Sequence, residues 1–331
     1  MTDHRYDVLA IGNAIVDVIA DADDAFLAER GLDKGGMRLV DEGEAVALYA
    51  EMAAGREVSG GSAGNTAAGI AVLGGRAAFV GQVADDQLGM IYQHDIEAAG
   101  VDFPVAARGD VGATARCLIL VTPDAQRTMN TFLGAAQMLA AKDVDLSLIG
   151  QAKILYLEGY LWDREGPREA MEAAIDAARA AGTKVAFTLS DSFCISRHRA
   201  DFLRLVDQGR IDILFANEAE IVELAAADDF DAAIEAIAPK VAVLAVTRSE
   251  QGAVAVSRGE RATVTAEPIA RLVDTTGAGD LFAAGFLLGQ ARGYSLDTSL
   301  RLGAIAAAEV IQHYGARPEA DLKALAGDLL A

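Results

Sequence analysis

The chain has 331 residues, 52% of them hydrophobic and 23% charged, which suits one large domain or two ordinary ones and excludes a disordered chain. With 28 lysines and arginines against 49 aspartates and glutamates, the formal charge is −21. Such a chain repels duplex nucleic acid and anionic membrane surfaces unless it carries a local basic run, and none is present.

In chain order, residues 6–12 read as a buried strand ending at glycine, and 15–20 as a second extended run. Residues 62–73 follow a glycine turn as a helix of small residues. Residues 76–83 form a strand and 87–99 a helix stopped by Gly100. From 101 to 131 the hydrophobic period moves towards two, with strands over 114–121 and 127–131 around the turn Thr122-Pro123-Asp124-Ala125. Strands near 153–158, 184–189, 211–215 and 241–247 then alternate with helices near 165–181, 198–207 and 218–226. That alternation predicts an α/β fold of βαβ units, with a mainly parallel sheet covered by helices on both faces. With no linker or repeat to divide it, the whole of 1–331 is expected to be one domain. The early extended pieces, about 14–45 and 101–131, are expected to form a small β-rich lid.

Polar residues interrupt every apolar stretch short of a membrane span. Cys117 and Cys194 stand far apart, and His4, His94, His198 and His313 are scattered, so no transition-metal cluster is expected. Without a cationic, apolar leader, the expected compartment is a reducing cytoplasm.

The segment Asp274-Thr275-Thr276-Gly277-Ala278-Gly279-Asp280 is the most informative, because it runs straight into the apolar stretch 281–288. Glycines let the backbone approach a ligand closely. The apolar stretch predicts a buried helix whose first turn presents unpaired amides and a partial positive charge, a place for an anion. Asp280 stands in that turn, so a phosphoryl group could pass there to a hydroxyl. The bland reading is a glycine-rich helix start with Asp280 as a surface carboxylate favoured by the dipole. A P-loop is excluded because no Gly-Lys pair occurs, and the dinucleotide pattern fails because Phe282 replaces its third small residue.

Gly60-Gly61-Ser62-Ala63-Gly64 matches the nucleophile elbow of serine hydrolases, with His198 or His313 as later partners. That elbow needs an apolar strand before it, whereas Gly55-Arg56-Glu57-Val58-Ser59 is short and polar. A glycine turn beside a ligand, followed by the amide of Asn65, fits better. Asn217-Glu218-Ala219-Glu220 follows an apolar strand, where open α/β sheets bind ligands. It reads as an ordinary helix cap, or as a pair that holds hydrated Mg²⁺ beside a phosphate. Residues 247–252 read as a hairpin turn or as a hydroxyl-bearing loop beside a nucleotide. Asp17, inside an apolar strand, lies on an exposed edge or grips a vicinal diol. Tyr160 and Trp162 read first as packing residues.

In this order, the motifs at Gly60–Asn65, Asn217–Glu220 and Asp274–Asp280 resemble the ribokinase (PfkB) family of sugar and nucleoside kinases over nearly the whole chain. Gly12-Asn13-Ala14-Ile15-Val16-Asp17, Arg127-Thr128-Met129-Asn130, Leu133-Gly134-Ala135-Ala136 and Ser190-Asp191-Ser192-Phe193-Cys194 are similar to its adenosine-kinase-like subgroup. The resemblance implies a ribokinase-like fold and ATP-dependent transfer to the primary hydroxyl of a ribose-bearing nucleoside, in purine salvage. Asp280 would be the general base, Gly277, Ala278 and Gly279 the anion hole, and Arg127 the partner of the moving phosphate. Asp17, Gly61, Ser62 and Asn65 would hold the sugar, while Asn13, Met129 and Tyr160 would meet the base. Thr247 and Gly252 would line the ATP site. Asn217 and Glu220 would organise Mg²⁺ through water, and Asp274 with the Thr276 carbonyl would bind a monovalent cation such as K⁺. The alternatives are a free-sugar kinase for ribose, fructose or a sugar acid and, remotely, a hydrolase using Ser62. An exposed lid edge leaves room for a homodimer.

Overall fold

Along the segment Tyr6–Ile11, Val8 and Ala10 enter one buried cluster while Leu9 and Ile11 enter another. The same split recurs at Ile154 and Tyr156 against Leu155 and Leu157, and at Val243 and Ala245 against Leu244 and Val246. A strand buried on both faces in this way belongs inside a sheet sandwiched by helices.

The computed structural model describes residues 4–124 and 126–330. Among them are β1 (Tyr6–Ile11), β2 (Ile15–Asp21), β3 (Met37–Leu39), β4 (Arg56–Gly60), β5 (Ala77–Val80), β6 (Val101–Asp102) and β7 (Ala115–Val121). There follow β8 (Arg127–Phe132), β9 (Ala152–Glu158), β10 (Lys184–Thr188), β11 (Ile213–Asn217), β12 (Val243–Thr247), β13 (Ala253–Ser257) and β14 (Glu260–Val264).

The large sheet has the order β14-β13-β12-β11-β10-β9-β1-β5-β6. From β6 to β12 every neighbouring pair is parallel, and β13 and β14 close the edge antiparallel. Helices Ser62–Val72, Ala278–Arg292 and Leu296–Val310 fill one face. Helices Glu165–Ala181, Ser192–Asp207, Glu218–Ala225 and Phe230–Ile237 cover the other. The expected α/β architecture with a mainly parallel sheet is therefore present. The helix expected near 198 begins at Ser192, because Asp191 accepts a hydrogen bond from the Cys194 amide and caps it; His198 marks a kink inside.

The second sheet has the order β3-β8-β7-β2-β4. Val16, Val18, Leu118 and Leu120 join the core cluster that contains Leu27, Ala45 and Leu48 from the helices Asp24–Glu29 and Glu42–Glu51. The alternate residues Ile15, Ile19, Cys117, Ile119, Val121 and Met129 gather on the opposite face, which by strand alternation also carries Asp17. The segments 14–45 and 101–131 supply β2, β3, β7 and β8, but Val101–Asp102 pairs with β5 in the large sheet. The short, polar segment 55–59, which lacks the apolar strand of a nucleophile elbow, overlaps β4, Arg56–Gly60. That strand pairs with β2 alone at the sheet edge, where polar residues are tolerated. At the expected turn the Thr122 amide bonds the Gln126 carbonyl; Ala125 lies outside the described residues. Among the described residues no helix is long and apolar enough to cross a membrane.

Candidate active site

The carboxyl ends of β1, β9, β11 and β12 open on the same edge of the sheet, the usual place for ligands in such folds. After β1 the chain passes Gly12 and Asn13, and after β4 it passes Gly61. Gly61 has φ +83°, and a Cβ there would stand 2.1 Å from the Asn13 carbonyl oxygen, so only glycine lets the two loops touch. Glu158, at the end of β9, ties them together. Its Oε1 accepts from the Asn13 amide at 2.7 Å and from Asn13 Nδ2 at 2.9 Å, and its Oε2 accepts from the Ala63 amide at 2.8 Å. Burial pushes the Glu158 carboxyl up to about 7, against the pull of those three donors, and the charge of Asp280 adds to the rise.

Asp280 lies in the first turn of Ala278–Arg292. Its carboxylate accepts from Ser62 Oγ at 2.6 Å and from Asn65 Nδ2 at 2.9 Å, and Thr66 Oγ1 donates to its backbone carbonyl at 3.2 Å. Its place at the helix start favours the ionised form, but burial works against it. Burial holds this carboxyl above the usual range, while Ser62, Asn65 and the positive charge of Arg317 oppose that rise. Burial also pushes Asp17 up to about 6, with Arg127 and Arg317 opposing and Asp280 and Asp274 reinforcing. Perturbed carboxylates close together, with Asp280 adding to the rise of Asp17, make this a candidate functional cluster. Asn13 Oδ1 and Asn65 Oδ1 are buried acceptors without a protein partner, an acceptor set that suits the O–H donors of hydroxyl groups.

Gly277 is left-handed (φ +80°) and offers no side chain to cap the helix that follows. Nothing lies within 4 Å of the position of a Cβ on Gly279. An uncovered helix start beside open space fits a phosphate. Arg127 forms a buried ion pair with Asp274 and donates to Thr276 Oγ1 at 2.9 Å. Asp274 further accepts from the Thr276 amide at 3.0 Å, from Thr276 Oγ1 at 2.8 Å and from the Gly315 amide at 3.0 Å. Strand β8 is thereby fastened to the loop 274–279.

Asn217 and Glu220 form a reciprocal capping box. Asn217 Oδ1 accepts from the Glu220 amide, and both Glu220 oxygens accept from Asn217. Burial pushes Glu220 up to about 7, with the Asp191 charge contributing. Thr247 ends β12 in register with Asn217, and residues 247–252 make the hairpin into β13, with Gly252 packed under the Val264 carbonyl. Tyr160 Oη donates to the Ser190 carbonyl at 3.3 Å, and burial pushes its pKa up, with the charges of Asp191 and Asp280 adding to the rise. Asn13, Gly61, Ser62, Asn65, Asp17, Asp280 and the loop 274–279 thus converge. Asn217, Glu220, Thr247 and Gly252 lie farther along the same edge, and Met129 sits in the apolar patch of the small sheet. No cluster of three or more metal-ligating side chains occurs among the described residues.

Sequence reading missed Glu158 and Arg317. Glu158 had a usable signal, a carboxylate at the end of a buried strand. Arg317 had none, since it follows the last long helix in a segment without a motif. The hydrolase reading fails on geometry. Ser62 donates to Asp280, while His198 and His313 pair with Asp163 at 2.6 Å and Glu309 at 3.1 Å.

A family model described as pfkB family carbohydrate kinase matches residues 7–322. The chain belongs to that family. It is 50% identical to the adenosine kinase of Sinorhizobium meliloti, whose crystal structure superposes with a TM-score of 0.90 over 97% of this chain and 98% of that one. The crystal structure of a probable sugar kinase from Rhizobium etli CFN 42 is 48% identical, with a TM-score of 0.91 over 98% of each chain. The adenosine kinase of Saccharomyces cerevisiae is 30% identical over 330 residues, 93% of this chain and 95% of that protein. The protein is a kinase of the sugar and nucleoside class that acts with ATP on a small molecule.

Proposed function

We propose that this kinase moves the γ-phosphate of ATP to the primary hydroxyl of a ribose-bearing nucleoside, adenosine first, with Asp280 as general base. The observation that carries the reading is Asp280, oriented by Ser62 and Asn65 at an uncapped helix start with Asp17 close by. The 50% identity to an adenosine kinase supports the acceptor.

Phosphoryl transfer asks a protein mainly for position and charge neutralisation. A carboxylate has about four acceptor sites, so Asp280 can keep Ser62 and Asn65 and still take the proton of an incoming hydroxyl. Its raised pKa makes it a better base than an ordinary aspartate, and such help is worth roughly a hundred- to ten-thousand-fold. Asp17 would grip the ribose diol, while Asn13 Oδ1 and Asn65 Oδ1 would accept from hydroxyl or amino groups. Met129 and Tyr160 would border the base, with Gly61 giving the loops their close approach. Amides of Gly277, Ala278 and Gly279 would hold the phosphate. Arg127 would meet the phosphate from its place beside Asp274. Thr247 and Gly252 would border the nucleotide.

Mg²⁺, when bound, neutralises charge on the transferring phosphate. Glu220, with both oxygens turned to Asn217, would reach it through water. Asp274 and the Thr276 carbonyl would border a monovalent cation such as K⁺. The five-stranded sheet would act as the lid that excludes water, and a reducing cytoplasm and purine salvage are the setting this chemistry fits.

The test is ADP release with MgATP and K⁺ against adenosine, other nucleosides, ribose, fructose and sugar acids. Turnover strongest with a nucleoside supports the reading. Turnover confined to free sugars keeps the kinase and discards the roles of Met129 and Tyr160.

A further inference from the structure

Arg317 is the cation of this site that no sequence motif announces. It lies after the helix Leu296–Val310, yet its side chain reaches two other parts of the fold. Nε and Nη2 donate to the Ser59 carbonyl at 3.2 and 3.0 Å, Nη2 donates to Ser59 Oγ at 2.9 Å, and Nη1 donates to the Gly64 carbonyl at 3.0 Å. Ser59 belongs to β4 of the small sheet, opposite Val16 and next to the pair Asp17–Val58. Gly64 lies in the helix that carries Ser62 and Asn65. One guanidinium thus joins the C-terminal segment, the strand beside Asp17 and the helix that orients Asp280.

All of these hydrogen bonds end on neutral oxygens, so they do not cancel the charge. Ser59 in turn donates its amide and hydroxyl to Asp95 at 2.7 and 2.6 Å. The groups that feel the guanidinium are Tyr92 and Asp95 from the helix Gln87–Ala98, Asp17 from β2, and Asp280. Those that face Asp280 are Asp17, Tyr156 and Glu158 from β9, and Tyr160; Arg317 opposes the rise at Asp280 and, together with Arg127, the rise at Asp17.

We propose that Arg317 is a positioning residue for the transfer reaction, clamping the Ser59 and Gly64 carbonyls together and keeping a fixed positive charge beside Asp17 and Asp280. The role rests on Asp280 being the base. Without that charge, the carboxylates at the site would stay protonated to higher pH, and the enzyme would lose its working form at the acid end of its range. A clamp with no electrostatic part would change stability and KM but leave the pH profile in place.

The experiment is the pH dependence of kcat/KM with MgATP and adenosine, or ribose if adenosine is not turned over. It compares the native chain with Arg317→Met, Arg317→Gln, Arg317→Lys and Asp280→Asn, each checked for folding by thermal melting. The neutral variants should move the acidic limb upward, lowering kcat/KM roughly fivefold at the native half-maximal pH. Arg317→Lys should keep the limb near its native place while raising KM. Should the methionine variant not fold, the glutamine variant, which can still donate to the Ser59 carbonyl, carries the comparison. A native acidic limb in a folded neutral variant, with Asp280→Asn inactive, overturns the role of Arg317 alone. Full turnover in Asp280→Asn overturns the base assignment and this role with it.

Discussion

Two glycines at the site make opposite demands on their alanine variants. At Gly61 the backbone sits at φ +83° and ψ 138°, and a Cβ would lie 2.1 Å from the Asn13 carbonyl oxygen. An ordinary contact would need Asn13 to retreat by about an ångström, yet its amide is held by buried Glu158 at 2.7 Å. Backbone strain of this kind costs about 1–3 kcal/mol, and forced repacking costs about 1–3 kcal/mol more. Gly61→Ala should therefore lose about 2–6 kcal/mol of stability. It should also lower kcat/KM about a hundredfold, because a displacement near one ångström at a reacting centre costs about that much. At Gly279 a Cβ meets nothing within 4 Å, and the residue lies within a helix. There alanine should leave stability unchanged or raise it by up to about 1 kcal/mol. Its methyl would still enter the space assigned to phosphate, so activity should fall and KM for ATP should rise. Urea unfolding and initial-rate kinetics on both variants read the two effects. Native activity in Gly279→Ala would refute the anion-hole assignment. Native stability and kinetics in Gly61→Ala would refute the contact between the two loops.

Arg127→Leu leaves the Asp274 carboxylate buried without its partner and should cost about 3–5 kcal/mol in urea unfolding; an unchanged midpoint would show that the pair does not anchor β8. Asp17→Asn should raise KM for adenosine about tenfold to a hundredfold by weakening charge-assisted bonds to the ribose diol, leaving KM for ATP near native; equal rises in both constants would remove Asp17 from the sugar site. Burial raises Asp17 to about 6, and Glu158 and Glu220 to about 7, so the folded chain keeps protons that the unfolded chain has released. Their contribution to stability is full below about pH 4 and is lost as pH rises through about 6–7. The urea midpoint of the ligand-free protein should accordingly be lower at about pH 8 than at about pH 5, and a midpoint that rises over that interval contradicts these assignments.

Strand–helix alternation after residue 150 was legible because the strands there are apolar runs and the helices Glu165–Ala181 and Ser192–Asp207 are long. Strands buried on both faces read as apolar runs, and the helices between them are amphipathic. The small sheet was harder. Strand β3 is only Met37–Leu39, each residue exposed, and β4 is an edge strand written as Arg-Glu-Val-Ser-Gly. Neither carries an alternating pattern, and only pairing with β8 and β2 makes them strands. At the site, residues inside dense local motifs could be found because glycines and carboxylates stand close in sequence around Gly61 and Asp280. Glu158 and Arg317 reach the same place across separations of 145 residues to Asn13 and 258 residues to Ser59. No local pattern encodes such a contact; it exists only once the sheet order is set. The anion loop shows a further limit. Its residues were legible, but not that Asp274 would be engaged by Arg127, Thr276 and Gly315.

The most direct test of Asp280 as the base is a single-turnover measurement of phosphate transfer from MgATP to the 5′-hydroxyl of adenosine. Native protein is compared with Asp280→Asn, and adenosine binding is followed separately by calorimetry. Asparagine keeps the shape and can still accept from Ser62, but it cannot take up the proton. The account predicts transfer slowed by roughly a hundred- to ten-thousand-fold with adenosine bound nearly as well as before. Transfer at the native rate in Asp280→Asn would contradict it.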